Sequence, residues 1–341
     1  MRWFASLVLA LGVMGCSDTA GSSGLVFPCT QQGIVDAIAE GGGPHTFDCD
    51  GPQTVVTAEA IVIDNHVTLD GAGTLTVEGS REHRVFSVAA GVAAGLRGFT
   101  VTNGNGGIEN RGSLTLTNST VSGNHTLDDG DGGGIHNRGT MTLVGTTVSG
   151  NTAEGWGGGI YNYDGTLVLT NSTVSGNQVI ANPEEPWKWD ATLVNAQGLM
   201  TLVASTVSGI VYSVGRGFGG DAVTVVTFAA TLIRGRCVET DPEIAPTEWV
   251  SYGRNIVSPR NSCGFDQPTD QVEVTAEQLA LGPLQDNGGP TQTHALGEGS
   301  VAIDQMPAED CVDADGEPLT TDQRGEPRGS MCDVGAFEVQ P

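Results

Sequence analysis

Basic residues are scarce in this chain. It has 14 Lys and Arg against 40 Asp and Glu, for a formal net charge of −26 at pH 7. A groove for nucleic acid needs the opposite sign of charge, because its affinity comes from neutralising phosphates. The composition therefore excludes DNA and RNA as expected partners. It favours an acidic, solvated surface, or a partner that brings positive charge.

Aromatic residues, metal-binding cysteine pairs and long apolar runs are also rare or missing. Aromatic residues make up 5% of the chain, and no C-x-x-C pair occurs, so a thiolate metal site is not expected. After the N-terminus, no apolar run reaches the ~18 residues that a membrane span needs. Glycine, by contrast, is abundant, with 51 in 341 residues, which is typical of many short strands joined by tight turns.

Three stretches of the chain are copies of one another. They read IENRGSLTLTNSTVSGN (108–124), IHNRGTMTLVGTTVSGN (135–151) and IYNYDGTLVLTNSTVSGN (160–177). Their closing valines, Val121, Val148 and Val174, lie 27 and 26 residues apart, and a degenerate fourth copy ends at Val207. A repeat of this period predicts a stacked architecture, and the alternation of Leu and Val with Thr and Ser predicts strands. We therefore expect an all-β fold, a parallel β-solenoid.

The repeats also predict which side chains stack. Ile, Leu and Val at equivalent positions should point inward, while asparagines at the bends should hydrogen-bond along the axis. The two asparagine columns are Asn110, Asn137 and Asn162, and Asn124, Asn151 and Asn177. A helix over Thr30–Glu40, with Thr30 as its N-cap and the glycines from Gly41 as its stop, is expected to cap the N-terminal end.

The first residues resemble an export signal. Arg2 precedes an apolar run that ends in Val13-Met14-Gly15-Cys16, which is similar to a bacterial lipobox. We expect residues 1–15 to be a lipoprotein signal peptide, Cys16 to be acylated, and residues 16–24 to form a flexible tether. The chain would then be exported, and attached only by its lipid to the outer membrane or cell surface of a bacterium. An ordinary signal peptide with an incidental cysteine is the alternative.

Six cysteines remain when Cys16 is set aside. An exported chain can keep disulfides, and six cysteines allow 15 connectivities. We prefer the pairing of cysteines that are close in sequence, which joins Cys29 with Cys49, Cys237 with Cys263, and Cys311 with Cys332.

Several motifs resemble known families. GGGIHN (132–137), GGGIYN (157–162) and the TVSGN segments are similar to the repeats of polymorphic outer-membrane proteins, and the middle of the chain resembles right-handed parallel β-helix proteins of the pectate-lyase-like superfamily. NGGPTQTHAL (287–296), GSVAID (299–304), TDQRGEPRG (321–329) and CDVGAFE (332–338) resemble a choice-of-anchor Q domain. The resemblance covers roughly residues 45–338. It implies a bacterial surface or secreted protein whose activity is mostly unassigned.

The resemblance also implies a domain organisation. We expect a right-handed parallel β-helix with a short N-terminal helix cap at 25–258, followed by an irregular choice-of-anchor-Q-like cap region at 259–341. Members of that family typically carry a C-terminal sorting tail, whereas this chain stops three residues after Glu338. We therefore expect the lipid at Cys16 to provide the anchor.

Loops of unequal length are predicted to gather on one side of the β-helix. They cover 125–132, 152–157 and 178–191, and they hold three of the five tryptophans. Insertions into a solenoid usually form its binding face, and indole rings pack on the apolar face of a sugar. The alternative is a variable loop whose tryptophans pack on the side of the rod. The expected ligand-binding residues are Trp156, Trp187, Trp189, Asp128, Asp131 and Glu154.

The acidic segment DDGDGGG (128–134) resembles calcium-binding Gly/Asp repeats. It makes Asp128, Asp129 and Asp131 candidate Ca²⁺ ligands, since carboxylate oxygens suit this ion. The segment occurs once, however, and lacks the nonapeptide period of such repeats. We therefore expect no cofactor, with calcium as the open alternative.

A column of polar residues at equivalent repeat positions gives the catalytic candidates, which are Glu109, His136, Arg138 and Tyr161. His136 or Arg138 could act as the base and Tyr161 as the acid, with Glu109 orienting the base. The alternative is that these residues have no catalytic role, because equivalent positions of any stacked repeat form such columns. A second polar set, near the C-terminus, is expected to lock the cap through ion pairs; it comprises Asp304, Asp322, Arg324, Arg328 and Asp333.

These patterns lead to three functional hypotheses. The first is a non-enzymatic surface rod that binds polysaccharide or a neighbouring cell surface through its loops, as an adhesin does. The alternative is a polysaccharide lyase or glycoside hydrolase, which rests on fold analogy. A spacer without any ligand is a third reading.

Overall fold

A computed structural model describes residues 24–128, 130–180, 191–215, 224–240 and 246–340. The helices are α1 (Gln31–Glu40) and α2 (Ala276–Leu279), and a short 3-10 helix spans Ala308–Asp310. The first strands are β1 (Val26–Pro28), β2 (Gly42–Asp48), β3 (Gln53–Val56), β4 (Ile61–Ile63), β5 (Val67–Glu78), β6 (Phe86–Val88), β7 (Ala93–Thr102), β8 (Ile108–Asn110), β9 (Ser113–Thr117), β10 (Thr120–Ser122), β11 (His125–Thr126), β12 (Ile135–Asn137), β13 (Thr140–Val144), β14 (Thr147–Ser149) and β15 (Thr152–Ala153).

The later strands continue the same succession and then enter the C-terminal region. They are β16 (Ile160–Tyr163), β17 (Thr166–Thr170), β18 (Thr173–Ser175), β19 (Gln178–Val179), β20 (Ala191–Ala196), β21 (Leu199–Val203), β22 (Thr206–Val214), β23 (Thr224–Ala229), β24 (Leu232–Thr240), β25 (Thr247–Ser251), β26 (Ile256–Pro259), β27 (Leu281–Gln285), β28 (Thr293–Leu296), β29 (Met306–Pro307) and β30 (Met331–Cys332).

Parallel pairing arranges these strands on three faces, which confirms the predicted parallel β-helix. Face 1 contains β4, β6, β8, β12, β16 and β20, followed by the second halves of β22 and β24. Face 2 runs from β1 and β2 through β9, β13, β17 and β21 to β25. Face 3 runs from β3 through β10, β14 and β18 to β26, and the small strands β11, β15 and β19 lie at the corner between faces 3 and 1. The hand of the coil stays a prediction from the resemblance.

The inward side chains form a continuous apolar core, as the repeats predict. Ile108, Ile135 and Ile160 stack in register on face 1, and all three are fully buried. The valines of the TVSGN tags stack likewise on face 3. Burial of each such side chain contributes about 1.5–3 kcal/mol, so the core grows with each coil.

Both predicted asparagine columns are present and buried. Each Nδ2 of the first column donates to the next Oδ1 at 2.7 Å, from Asn110 through Asn137 and Asn162 to Asn195. The second column, at the TVSGN bends, has the corresponding bonds at 2.9 Å. Asn195 extends the first column by one coil, into the degenerate fourth repeat.

Helix α1 caps the N-terminal end, as predicted. The Thr30 hydroxyl accepts a hydrogen bond from the Gly33 N–H at 3.0 Å, and the helix ends at Gly41, whose φ of +70° favours glycine. Ile34 and Ile38 are buried in the same apolar cluster as the first coils. The helix therefore covers the strand edges that the first coil would otherwise expose.

The C-terminal region folds back along face 3, over coils that precede it by more than a hundred residues. Gln323 lies between Thr147 and Thr173, donating to one hydroxyl at 2.7 Å and accepting from the other at 2.6 Å. His294 meets the Ser175 hydroxyl at 2.8 Å. Both threonines point outward from the β-helix, yet they are fully buried because this region covers them.

Ion pairs and hydrogen bonds hold the C-terminal region together, but only one of the pairs joins two residues of the predicted set. Arg324 pairs with Asp322 at 2.8 Å, Arg328 pairs with Glu338 instead of an aspartate, and Asp333 accepts hydrogen bonds from the backbone N–H groups of Asp304 and Val339. Arg328 Nη1 lies 3.0 Å from Glu338 Oε2, with both side chains almost completely buried, and Arg328 Nη2 donates to Asn171 Oδ1, in the turn between β17 and β18, at 2.8 Å. Short regular elements add to this region, including α2, which begins with a capping box between Thr275 and Gln278.

The three local disulfides that we preferred are present. They join Cys29 to Cys49, Cys237 to Cys263, and Cys311 to Cys332. Cys16 lies outside the described residues, as do the signal peptide and all but the last residue of the tether. Within the described ranges, no helix has the length and apolar character needed to cross a membrane.

Candidate functional site on face 1

The predicted catalytic column lies on face 1. Glu109, His136 and Tyr161 occupy matching positions on β8, β12 and β16, so their side chains stack on the outer surface of the β-helix. The column continues through Val194 of β20 to Tyr212 of β22. The lattice of the repeat thus places one acidic residue, one imidazole and two phenol rings in a line along the axis.

Rings and guanidinium groups pack closely in the middle of this column. The rings of His136 and Tyr161 have centroids 5.3 Å apart, and Tyr161 stacks on Tyr163 at 5.9 Å. Arg138 Nε donates to His136 Nε2 at 3.1 Å, while its Cζ lies 5.3 Å from the ring centre of Tyr163. Arg138 therefore holds the imidazole through the lone pair that a base would use.

Glu109 has a different partner from the one that its predicted role requires. Arg111 donates to Glu109 Oε1 from Nε at 3.1 Å and from Nη2 at 2.7 Å. Among the described residues, no hydrogen bond joins this carboxylate to His136. Glu109 is thus positioned as the ion-pair partner of Arg111.

The predicted loop residues meet the column. Asp131 Oδ1 accepts a hydrogen bond from the backbone N–H of Trp156 at 2.6 Å, so Asp131 joins two successive loops. The Trp156 ring packs at 5.2 Å from Tyr212, within the apolar cluster that also contains Tyr161. The structure therefore brings the two predicted sites together as one surface.

The remaining loop candidates are spread around this surface. Asp128 is exposed, and Glu154 is half-buried beside the strand that carries Thr126. Trp187, Trp189 and Asp129 lie outside the described residues. In the described part of the chain, no group of three or more His, Cys, Asp or Glu side chains is arranged to hold a metal ion. Calcium at Asp128, Asp129 and Asp131 stays a prediction.

Arg84 is a member of this site that sequence reasoning missed. Its Nη2 donates to the Asp131 carbonyl at 3.2 Å, whereas its buried Nη1 has no hydrogen-bond partner among the described residues. Arg84 lies in a coil that precedes the visible repeats, 47 residues from Asp131. The sequence could have revealed Arg84 if Phe86 had been aligned with Ile108 of the first repeat. That alignment makes β6 the face 1 strand of the preceding coil and places Arg84 two residues before it.

Comparisons with known proteins give one structural similarity and no family. No protein-family model matches the sequence, and no curated protein matches it. Among solved structures, the chain is similar to the crystal structure of pectate lyase Pel9A, with 13% sequence identity, 94% of this chain and 97% of that chain covered, and a TM-score of 0.44. A similarity at this level carries no information about activity.

Burial and positive charge set the protonation of the column. Burial, followed by Arg84, Arg138 and Arg111, lowers the pKa of His136 to about 3, so its imidazole is neutral at physiological pH. Burial, and then the charge of Asp131, raises the pKa of Tyr161, which keeps its phenol protonated. Burial also lowers the pKa of Arg84. The surface therefore presents guanidinium groups beside neutral, ring-bearing side chains.

This arrangement suits binding better than proton transfer. A general base is most effective when its pKa lies near the working pH. His136 is far below that range, and its Nε2 already accepts a hydrogen bond from Arg138. Guanidinium groups and aromatic faces together, in contrast, can hold an anionic ligand that also has an apolar side.

Proposed function

We propose that this protein is an exported, non-enzymatic β-helix that binds an acidic polysaccharide through face 1. The observation that carries the proposal is the placement of three arginines along the His136 column: Arg138 donates to His136, Arg111 to Glu109 in the neighbouring coil, and Arg84 to the Asp131 carbonyl. They belong to a chain with only 14 basic residues and a net charge of −26. Three guanidinium groups stand against the two carboxylates of Glu109 and Asp131, which leaves one positive charge in excess at this place on an otherwise acidic chain. This excess favours a ligand with carboxylate or sulfate groups.

The rings beside the arginines favour a sugar over a simple anion. Trp156, Tyr161, Tyr163 and Tyr212 pack in one cluster on the outer side of face 1, in which Trp156 and Tyr163 are half-buried and the two other rings are buried against them. An indole or phenol ring can pack on the apolar face of a pyranose, while its polar group stays free to hydrogen-bond. The patch extends over several coils, each about 4.8 Å from the next, so an extended polymer could contact several coils at once.

Export and surface anchoring belong to the same proposal. Three disulfides are typical of a chain that matures in an oxidising compartment. Lipidation of Cys16 would attach the chain to a bacterial membrane, and the region that resembles a choice-of-anchor Q domain packs on face 3. Packing on face 3 leaves face 1 free of the described C-terminal region.

A polysaccharide lyase or glycoside hydrolase is the second candidate. It is favoured by the contact between His136 and Tyr161, a neutral acceptor and a neutral donor whose rings are 5.3 Å apart. Catalysis would require the ligand to displace Arg138 from His136 Nε2. Unsaturated sugars or new reducing ends would then appear during incubation.

A polysaccharide array on residues 25–341, with and without calcium, separates these candidates. Retention of acidic polysaccharides without products supports the binding function. The double variant Arg111→Gln/Arg138→Gln should bind about tenfold more weakly or worse, because each arginine supplies a charge-assisted contact. Arg97→Gln, which removes one positive charge from the exposed surface of face 2, is the control for a loss of charge outside the site. Equal retention of wild type and double variant would refute the proposed site, and product formation would make the protein an enzyme.

Alanine at the tryptophans tests the contribution of the loops. Trp156→Ala, Trp187→Ala and Trp189→Ala should each weaken retention if the indole rings pack on the sugar. Unchanged binding to every glycan that the wild type retains would confine the ligand to the arginines and tyrosines of face 1.

A further inference from the structure

The corner between faces 3 and 1 changes shape part-way along the β-helix. In the earlier coils, the chain turns there through β11, β15 and β19 before it reaches face 1. In the next two coils, β22 and β24 pass from face 3 to face 1 as single continuous strands, paired from Thr206 to Val214 with Leu232 to Thr240. The corner therefore loses its extra strand after β19, and the surface of the β-helix drops inward at that point, which forms a step.

Two glycines form the floor at this step. Gly209 and Gly235 are paired across β22 and β24, and a Cβ atom on Gly235 would lie 1.8 Å from the Gly209 carbonyl oxygen. A Cβ on Gly209 would lie 2.1 Å from the Thr192 hydroxyl, and its φ of +149° is one that other residues rarely adopt. At both positions a side chain would collide with the neighbouring chain, so the floor of the step consists of bare backbone.

An open cleft of about 710 Å³, here named the corner cleft, lies at this step. This volume lies within the range of small-ligand sites. Its first wall comes from residues 176–178 and Thr192, its floor from 208–210 with 235–236, and its far end from Pro259, Arg260 and Ser262. The lining combines hydroxyl and amide groups with the apolar Ile210 and Pro259.

Two arginines from neighbouring coils line the corner cleft. Gly235 pairs with Pro259, so the residues that follow them, Arg236 and Arg260, lie on adjacent chain segments roughly 4.8 Å apart. Both side chains are exposed, and within the described residues neither forms an ion pair. No Asp or Glu from the described ranges lines the cleft. Two like charges at this spacing repel each other, and a bound oxyanion would relieve that repulsion.

Two serine hydroxyls add donors to the same place. Ser208 Oγ accepts hydrogen bonds from Arg234 Nε at 3.0 Å and Nη2 at 2.7 Å, and Ser262 Oγ accepts one from the Cys237 N–H at 3.0 Å. Because both oxygens act as acceptors inside the protein, their O–H groups are left to donate to a ligand. The cleft therefore offers two guanidinium groups and two hydroxyl donors to one acceptor-rich group.

We propose that the corner cleft is a second binding site, which takes a sugar-sized ligand carrying a carboxylate, sulfate or phosphate group held by Arg236 and Arg260. Ser208 and Ser262 would bind the remaining oxygens, while Ile210 and Pro259 would contact the apolar side of the ring. The site does not depend on what face 1 binds, because it uses other arginines.

Titration calorimetry on the full-length protein tests this site with glucuronic acid, glucose 6-sulfate, glucose 6-phosphate and neutral glucose. We expect charged sugars to bind with a stoichiometry of one, and glucose to bind at least about tenfold more weakly. Arg236→Gln/Arg260→Gln should weaken charged-sugar binding by about tenfold or more. Arg97→Gln should leave it unchanged. Because both cleft arginines are exposed, the double variant is expected to keep the melting temperature of the wild type.

Each outcome of this experiment decides something. Binding of only one charged sugar supports the proposal and identifies the oxyanion. Equal binding of glucose, an unaffected double variant, or no binding of any charged sugar at millimolar concentration overturns it. Arg138→Gln keeps this test separate from that of face 1. If that variant abolishes small-sugar binding, the sugars bind on face 1 and the corner cleft is not their site.

Discussion

Replacement of His136 by glutamine should change how the stability of this protein depends on pH. The folded state holds the His136 pKa at about 3, against about 6.5 in the unfolded chain, so the unfolded state binds the proton first as the pH falls. This group therefore contributes stability that is present above pH 6.5 and is lost towards pH 3. Between pH 7 and 4.5, the loss amounts to about 2.5 kcal/mol.

A second buried group works in the opposite direction over the same pH range. Burial raises the pKa of Asp333 to about 6, above its ordinary 3.8, so the folded state binds this proton first. Its contribution is fully present below pH 3.8 and is lost as the pH rises through 6, which is a gain of about 2 kcal/mol from pH 7 to 4.5. The two effects nearly cancel in the wild type, and only a difference between variants reveals them.

Urea unfolding followed by tryptophan fluorescence, at steps from pH 7 to 4.5, measures that difference. His136→Gln keeps an acceptor for Arg138 but cannot titrate, so its free energy of unfolding should rise relative to wild type by about 2.5 kcal/mol as the pH falls. Asp333→Asn should show a change of the opposite sign. Curves for wild type and His136→Gln that stay parallel within about 0.5 kcal/mol would refute the reasoning for His136.

Two further substitutions test how the β-helix and its C-terminal region are held. Asn137→Ala breaks the first asparagine column and removes the acceptor of the Gly139 N–H. It should therefore lower the free energy of unfolding by about 2–4 kcal/mol in the same urea titration. Thr142→Ala on face 2 is the control, and it should change this free energy by less than about 0.5 kcal/mol. Arg328→Met leaves the buried carboxylate of Glu338 without its cation, which should lower the stability of the C-terminal region by about 3–5 kcal/mol. Protease should then cleave this region faster than in the wild type. An unchanged cleavage rate would mean that the ion pair does not hold the region in place.

Much of the β-helix could be predicted because its repeats are local and regular. A strand with period-two alternation has one inward side, so the spacing of Val121, Val148 and Val174 fixes both the register and the core. The asparagine columns follow from the same spacing. Helix α1 was predictable for another reason, since Thr30 and Gly41 are start and stop signals that act within a few residues.

The rest depends on contacts between distant parts of the chain. Nothing in the sequence around Gln323 indicates that it lies between Thr147 and Thr173, because their hydroxyls read as ordinary outward positions of a strand. Arg84 escaped notice since its own coil does not repeat the motif. The corner cleft arises because β22 lacks a turn that earlier coils have, and such a missing turn is visible only once β22 is paired with its neighbours.

The three faces differ in which outward side chains they leave exposed, and this difference favours face 1 as the binding surface. On face 3, the outward threonines are covered by the C-terminal region. On face 2, short side chains such as Thr115 and Thr142 point outward and give the repeat coils a flat surface, with exposed charges such as Arg97 in other coils. Face 1 instead places arginines and aromatic rings outward, and burial of Tyr161 within the outer patch keeps them in fixed positions. A preorganised patch of this kind binds a rigid polymer at a lower cost in conformational entropy than flexible side chains would. If face 1 is a binding surface, ligand protection from hydrogen exchange should therefore follow β12 and β16 and spare β13 and β17.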